Sequence, residues 1–457
     1  HSGTIHKINI NKNSQLSYIN LIIVHIAIGF VIFLIPFLAK LYTLLIIVFG
    51  FVLMLRTKNR NNEALLICCY IVGVEVFLRM TGGNPLHELS KYLVVFFMLF
   101  GMFYKGFSKN SFIYVFFLLL LIPGIIIGAN ELSFDTNIRK AIAFNISGPV
   151  CLGIAAIYCY QRVVTKDEIY KMLIYIGLPI VSMAIYLFLY TPSNKEIFIS
   201  TQSNFSASGG FGPNQVSTSL GLGMFVFFVL ALLFSTTKKI IIINLIIFVF
   251  VSYRGILTFS RGGVITGLAM IAFLVVVLYY YSIPKVKTKL LTIILFLSIG
   301  GGLLWTYSVY KTNGMIEYRY ANKDARGREK GDSMGGREAI AGTEMDAFME
   351  NPIFGIGVGM NAEYREEVIG HKVSSHNEIT RMLADHGAIG ILGLIVLIVT
   401  PFLLYMGNKE NIFMFSFFIF WALTINHAAM RTAAPSFIYA LSLLKVSMSN
   451  EKNPIHR

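Results

Sequence analysis

The chain has 457 residues, 56% of them hydrophobic and only 13% charged, with a mean hydropathy of +0.69. A soluble globular domain carries about 25% charge, so the composition excludes a string of soluble domains and specifies a chain that crosses a bilayer many times. A formal charge of +15 would suit nucleic acid in a soluble protein. Here Lys and Arg cluster in short loops between apolar runs, as cytoplasmic loops do, and no nucleic-acid partner is expected. Cys68, Cys69, Cys151 and Cys159 lie in apolar runs without zinc-ligand spacing and read as small buried hydrophobes. The first residues, His-Ser-Gly-Thr, read as an expression scar, and no cleavable signal peptide is expected.

Runs of about 17–25 apolar residues mark membrane helices. In chain order they fall near 18–38, 41–55, 64–80, 92–106, 111–128, 140–160, 171–190, 215–235, 239–254, 261–281, 289–309, 387–406, 411–426 and 433–447. The fold expected is therefore all-α and polytopic, with about 12–14 transmembrane helices and one large helical extracytoplasmic loop. The predicted division is a cytoplasmic tail 1–16, a transmembrane region 17–309, a loop 310–386, C-terminal spans 387–447 and a cytoplasmic tail 448–457. Basic residues follow every even-numbered span: Arg56, Lys58 and Arg60; Lys105 and Lys109; Arg162, Lys166 and Lys171; Lys238 and Lys239; Lys285, Lys287 and Lys289; Lys409. That bias puts those loops and both termini in the cytoplasm and the remaining loops outside. The 191–214 loop, with its SNFSASGGFGPNQ run, suits either an inert connector or a sugar-facing re-entrant segment.

The segment from Lys311 to His386 differs from every other loop. It holds 13 of the 23 acidic residues and 10 of the 38 basic ones, which makes it a small polar domain; long loops of this kind tend to be functional. Helical spacing of Ile340, Ala341, Met345 and Phe348 predicts a helix over 336–350, with Arg337 in its first turn and Asn351-Pro352 at its end. Gly355, Gly357 and Gly359 form a turn through which backbone can approach a bilayer or ligand closely. Ser375-His376-Asn377-Glu378 fits a capping box with Ser375 as N-cap. That places His376 first in the next helix, among free N–H groups that keep an imidazole neutral. Gly387 is the expected stop before the next span.

Charge at the edge of a span is a functional hypothesis by default. Arg261, in Ser260-Arg261-Gly262-Gly263, sits at the outer end of the tenth span, and Arg79, Arg139, Arg254 and Arg431 also fall near the outer surface. Interfacial snorkelling explains some of them. Phosphate binding or pairing with loop acids explains others, since the arginine fork binds phosphate bidentately. Glu75 in the third span suits a relay or a hydrogen-bonded structural role. His371, His376 and His386 lack metal-ligand spacing, and neither a metal nor another cofactor is expected.

These residues together resemble the O-antigen ligase and polymerase superfamily. The resemblance rests on Ser260-Arg261-Gly-Gly, on Arg337 followed by Asn351-Pro352-x-x-Gly355-x-Gly357, and on His376-Asn377, nine residues, Gly387-Ala-Ile-Gly390. It is sharpest from about 254 to 394. It implies a GT-C-like membrane glycosyltransferase that needs no metal. Its donor would be a glycan on undecaprenyl pyrophosphate, and its acceptor a sugar hydroxyl, on lipid A–core for a ligase or on a lipid-linked glycan for a polymerase. The catalytic residues it implies are Arg261, Arg337 and, as general base, His376. Arg254, Asn377, Gly355, Gly357 and Arg431 are the expected substrate-binding residues. The implied location is the bacterial inner membrane with the site facing the periplasm. A lipid-linked glycan transporter is the competing class, but it calls for ionisable residues at the bilayer midplane and internal repeats.

Overall fold

A computed structural model describes residues 12–191, 198–331, 337–370 and 375–447, with backbone alone for 12–15 and Arg337. The expected tail beyond 447, most of the N-terminal tail and His371 lie outside the described residues. The helices run in chain order as α1 (Lys12–Leu34), α2 (Leu38–Thr57), α3 (Glu63–Met80), α4 (Leu89–Lys105), α5 (Phe112–Leu120), α6 (Ile122–Glu131), α7 (Ile138–Cys159), α8 (Lys166–Tyr190) and α9 (Pro213–Val229). Then follow α10 (Lys238–Leu257), α11 (Arg261–Tyr281), α12 (Pro284–Lys311), α13 (Met315–Tyr320), α14 (Arg337–Glu350), α15 (Asn361–Ile369), α16 (Glu378–Gly407), α17 (Met414–His427) and α18 (Ala433–Leu441). The protein is all-α and polytopic. Among the described residues, ten helical stretches are long and apolar enough to cross a membrane.

The other predicted spans fall short for identifiable reasons. The third carries Glu63, Glu75 and Arg79 within α3, and the fourth and thirteenth form helices of 17 and 14 residues. The fourteenth is not one helix. α18 ends after nine residues, and Lys445–Ser447 (β2) pairs in parallel with Val163–Thr165 (β1). Pro123, which has no N–H to donate, lies at the start of α6 where the fifth span divides from α5.

Two compact units divide the chain. The first comprises His1–Val52, Leu65–Pro85 and Lys166–Lys330. Its core is α9, whose side chains are buried almost without interruption. Lipid tails are as apolar as leucine, so helices in a bilayer associate through close packing of small residues. α9 and α11 meet on such a seam. A Cβ on Gly263 would lie 2.1 Å from the Ser217 carbonyl carbon, and one on Gly221 would lie 2.0 Å from the Gly263 oxygen. Glu75 is not a free acid here: it pairs with Arg79 one turn on at 2.6 Å, both fully withdrawn from solvent. This is the structural role the sequence allowed.

The second unit comprises Leu53–Ala64, Leu86–Thr165 and Gly331–Arg457. α7 and α18 pack at its centre, where Ser436 Oγ donates to Gly148 O at 2.9 Å and the Tyr114 and Tyr439 hydroxyls meet at 2.8 Å. Buried Lys91 pairs with Glu88 Oε2 at 2.5 Å, and Ser147 Oγ donates to the same oxygen at 2.9 Å. Buried charge persists only when paired in this way.

Candidate active site

In the first unit the turn before α11 is built to hold Arg261. Phe259, fully buried and stacked on Phe198 at 5.5 Å, has φ +58, a conformation that bulky side chains rarely adopt and that tends to persist at functional sites. The turn is pinned on both sides. Ser217 Oγ donates to Ser260 O at 2.7 Å, Ser260 Oγ donates to Asn214 Oδ1 at 2.8 Å, and Arg319 Nε donates to Phe259 O at 3.0 Å. Lys330 Nζ reaches Thr201 Oγ1 at 2.8 Å. Arg261, Arg319 and Lys330 thus share one electrostatic neighbourhood. Burial pushes the Tyr320 phenol up to about 12, with Arg261 and Arg319 pulling it back. Burial, then Arg319 and Arg261, lower the Lys330 ammonium, with Asp324 opposing. Asp324 itself is engaged by Arg328 at 2.7 Å.

Arg319 and Lys330 escaped the sequence reading because loop lysines and arginines without a motif look alike. The available signal was basic residues in a loop that the positive-inside rule assigns to the outer face. Arg254, expected at the substrate, is buried in α10. Its Nη2 donates to Leu187 O at 2.8 Å, to Ala207 O at 3.3 Å and to Thr191 Oγ1. Those bonds tie the C-terminal end of α8 to the turn at Ala207.

In the second unit Arg337 is the first residue of α14, as its spacing predicted, and that helix ends before Asn351-Pro352. His376 is not the first residue of the next helix. The N-cap of α16 is Asn377, whose Oδ1 accepts from Ile379 N at 2.9 Å. Ser375 Oγ turns instead onto Asn377, donating to its O at 2.9 Å and accepting from its N at 3.2 Å. Glu378, expected to reach back, pairs forward with Arg381. The capping box fails because a buried arginine outcompetes a backbone N–H for the carboxylate. His376 is therefore a loop residue held through its neighbours: its O accepts from Ala429 N at 3.1 Å, and Ser375 O accepts from Arg431 Nη2 at 2.9 Å. Arg431 thus supports the histidine turn.

Beneath that turn lies a buried ionic layer. Arg381 donates to Asn145 Oδ1 at 3.0 Å and Asn145 O at 2.8 Å as well as to Glu378. Glu344 on α14 pairs with Arg365 on α15 at 2.9 Å and accepts from Thr380 on α16. Asn361 Nδ2 donates to Asp385 at 2.5 Å. α14, which begins at Arg337, and α16, which follows the His376 turn, are thus tied together with α15 by one carboxylate, Glu344. Gly387 breaks α16 with φ +60, as expected of a stop, although helix resumes immediately.

Gly355, Gly357 and Gly359 all have positive φ. Their close approach is to the chain's own backbone. A Cβ on Gly355 would lie 2.4 Å from Ala384 O, and one on Gly357 would lie 2.5 Å from Gly128 N on α6. A pocket of about 320 Å³ is lined by Asn137, Lys140, Phe144, Asn145, Asn361, Ser375 and Arg381, among others. Among the described residues, no three of His, Cys, Asp and Glu lie where they could share a metal ion.

The fold and these sites define a polytopic helical membrane protein with buried cationic and polar groups at the ends of its spans. Residues 246–395 match the family model described as O-antigen ligase, which supports the O-antigen ligase superfamily for this chain. The matched stretch contains Arg254, Arg261, Arg337, His376 and the Gly355–Gly359 turn. No curated protein matches the chain.

Proposed function

We propose that the protein is an inverting glycosyltransferase of the O-antigen ligase type in the bacterial inner membrane. In this reading it moves a glycan from undecaprenyl pyrophosphate to a sugar hydroxyl of lipid A–core on the periplasmic face. The observation that carries the reading is that one family match, over residues 246–395, takes in all three proposed catalytic side chains. The acceptor hydroxyl oxygen attacks the anomeric carbon and its proton passes to His376. The bond from that carbon to the pyrophosphate oxygen breaks with inversion, releasing undecaprenyl pyrophosphate. Arg261 and Arg337 stabilise the charge that develops on the leaving group. His376 lies outside the helix with its carbonyl accepting from Ala429 N, and its imidazole is the proposed base. The pocket lined by Asn137, Phe144, Asn145, Asn361 and Ser375, which combines amides with apolar surface, suits the acceptor sugar. No nucleotide or metal is required, because the donor already carries the activated bond.

The experiment is incubation of the purified protein with lipid-linked glycan in the presence of chelator, with and without lipid A–core. Transfer only when lipid A–core is supplied supports the ligase. Elongated lipid-linked glycan without it makes the protein a polymerase using the same donor. Movement of glycan across vesicles without a new glycosidic bond contradicts both.

A further inference from the structure

The pocket of about 320 Å³ in the second unit takes much of its wall from one face of α7. Asn137, Lys140 and Phe144 line it at helical spacing, so an amide, a cation and an aromatic ring follow one another along that face. α15 supplies Asn361, Glu363 and Arg365 to the remainder.

Most charge on these walls is taken up within the protein. Arg381 is held by Asn145 and Glu378, and Arg365 by Glu344. Glu363 accepts from the hydroxyls of Ser133 and Thr136. Lys140 is different: its ammonium is exposed and makes no hydrogen bond or ion pair among the described residues. It also stands where helices prefer the opposite charge. α3, α8 and α16 carry acids in their first turns, which the helix dipole favours. α7 opens instead on Arg139 and Lys140, with no acid in its first turn.

A second group in the wall is also unmet. Asn361 is only 4% exposed; its Nδ2 donates to Asp385 at 2.5 Å, and its Oδ1 accepts from nothing among the described residues. Buried acceptors are nearly always satisfied. A pocket that joins an unpaired cation, an unmet acceptor and an aromatic ring fits a ligand with an anionic group, a hydroxyl donor and an apolar ring face. A neutral sugar supplies only the last two and leaves the cation without a partner.

We propose that this pocket selects an acceptor sugar that carries an acidic group, a carboxylate or a phosphate, with Lys140 as the residue that reads its charge. The assignment rests on the reading of the pocket as the acceptor subsite, and it names the class of acceptor. Lysine pairs as a point charge rather than a planar fork, so it takes either oxyanion, while Phe144 and the amides receive the ring.

The test is calorimetric titration of the purified protein in detergent with methyl glucuronide, glucose 6-phosphate and methyl glucoside. At least one charged sugar should bind roughly 5- to 50-fold tighter than the neutral one, between the worth of an exposed ion pair and that of a charge-assisted hydrogen bond. The margin should shrink as salt rises. Whether the glucuronide or the phosphate holds the margin identifies the oxyanion. Lys140→Gln, at an exposed position, should erase the margin and leave the neutral sugar's affinity unchanged; Lys140→Arg should keep it. Equal binding of all three sugars, no saturable binding of either charged one, or a margin that survives Lys140→Gln overturns the proposal. The two readings separate cleanly. Charge-selective binding in a protein that transfers no glycan keeps this site and removes the transferase. Glycan transfer that proceeds equally to neutral and acidic acceptor sugars does the reverse.

Discussion

Arg381 is the cation on which the base of the histidine turn depends, and its removal has a calculable consequence. The side chain is buried, makes two hydrogen bonds to Asn145 and pairs with Glu378, and its Nε lies 4.0 Å from Asp385. Arg381→Met keeps most of the volume but leaves Glu378, fully buried, without its cation. Removing one partner of a buried pair typically costs about 3–5 kcal/mol, far more than the pair contributes over an apolar substitute. Replacing both residues, Arg381→Met with Glu378→Gln, removes the stranded charge, so the double variant should lose less than the sum of the singles by about 1–3 kcal/mol. The assay is reversible denaturation in detergent followed through Trp421, which is buried in the same unit. A single variant costing under about 1 kcal/mol, or strict additivity of the double, would show that the ionic layer does not hold the turn.

The other predictions follow from local geometry. Gly263→Ala drives a Cβ to 2.1 Å from Ser217 backbone, so α9 and α11 must part and stability should fall by about 1–3 kcal/mol; Gly301→Ala, which meets nothing, should be neutral or slightly stabilising in the same thermal assay. The Tyr320 phenol is raised from 10.0 to about 12. Its contribution to stability is therefore complete below pH 10 and lost as pH rises through about 12. Trp305 emission, sensitive to its neighbour's ionisation, should hold steady to pH 10 and fall between there and about 12; quenching centred near pH 10 would contradict the burial assigned to Tyr320.

Much of this was legible in the sequence because hydropathy and local turn chemistry are local signals. The apolar runs marked the helices, Pro352 and Gly387 marked breaks, and helical spacing around Ile340 found α14. Long-range competition was not legible. Ser375 and Glu378 satisfy the capping pattern, yet a buried arginine three residues on takes the carboxylate and Asn377 becomes the cap. Arg254 reads as a phosphate ligand, but its partners are carbonyls 67 and 47 positions away. The last apolar run reads as a span until the pairing of Lys445 with Val163 shows where its end is anchored. Glycine spacing announced close approach at Gly355 and Gly357 but not what would be approached.

The central claim is that Arg261, Arg337 and His376 carry glycan transfer. Single alanine variants, each checked for insertion and folding, are assayed with lipid-linked glycan and acceptor. Losing one fixed donor to a developing anion should lower turnover about 10²–10³-fold, and losing the base should lower it about 10²–10⁴-fold. Wild-type turnover in a folded His376→Ala protein would contradict the account.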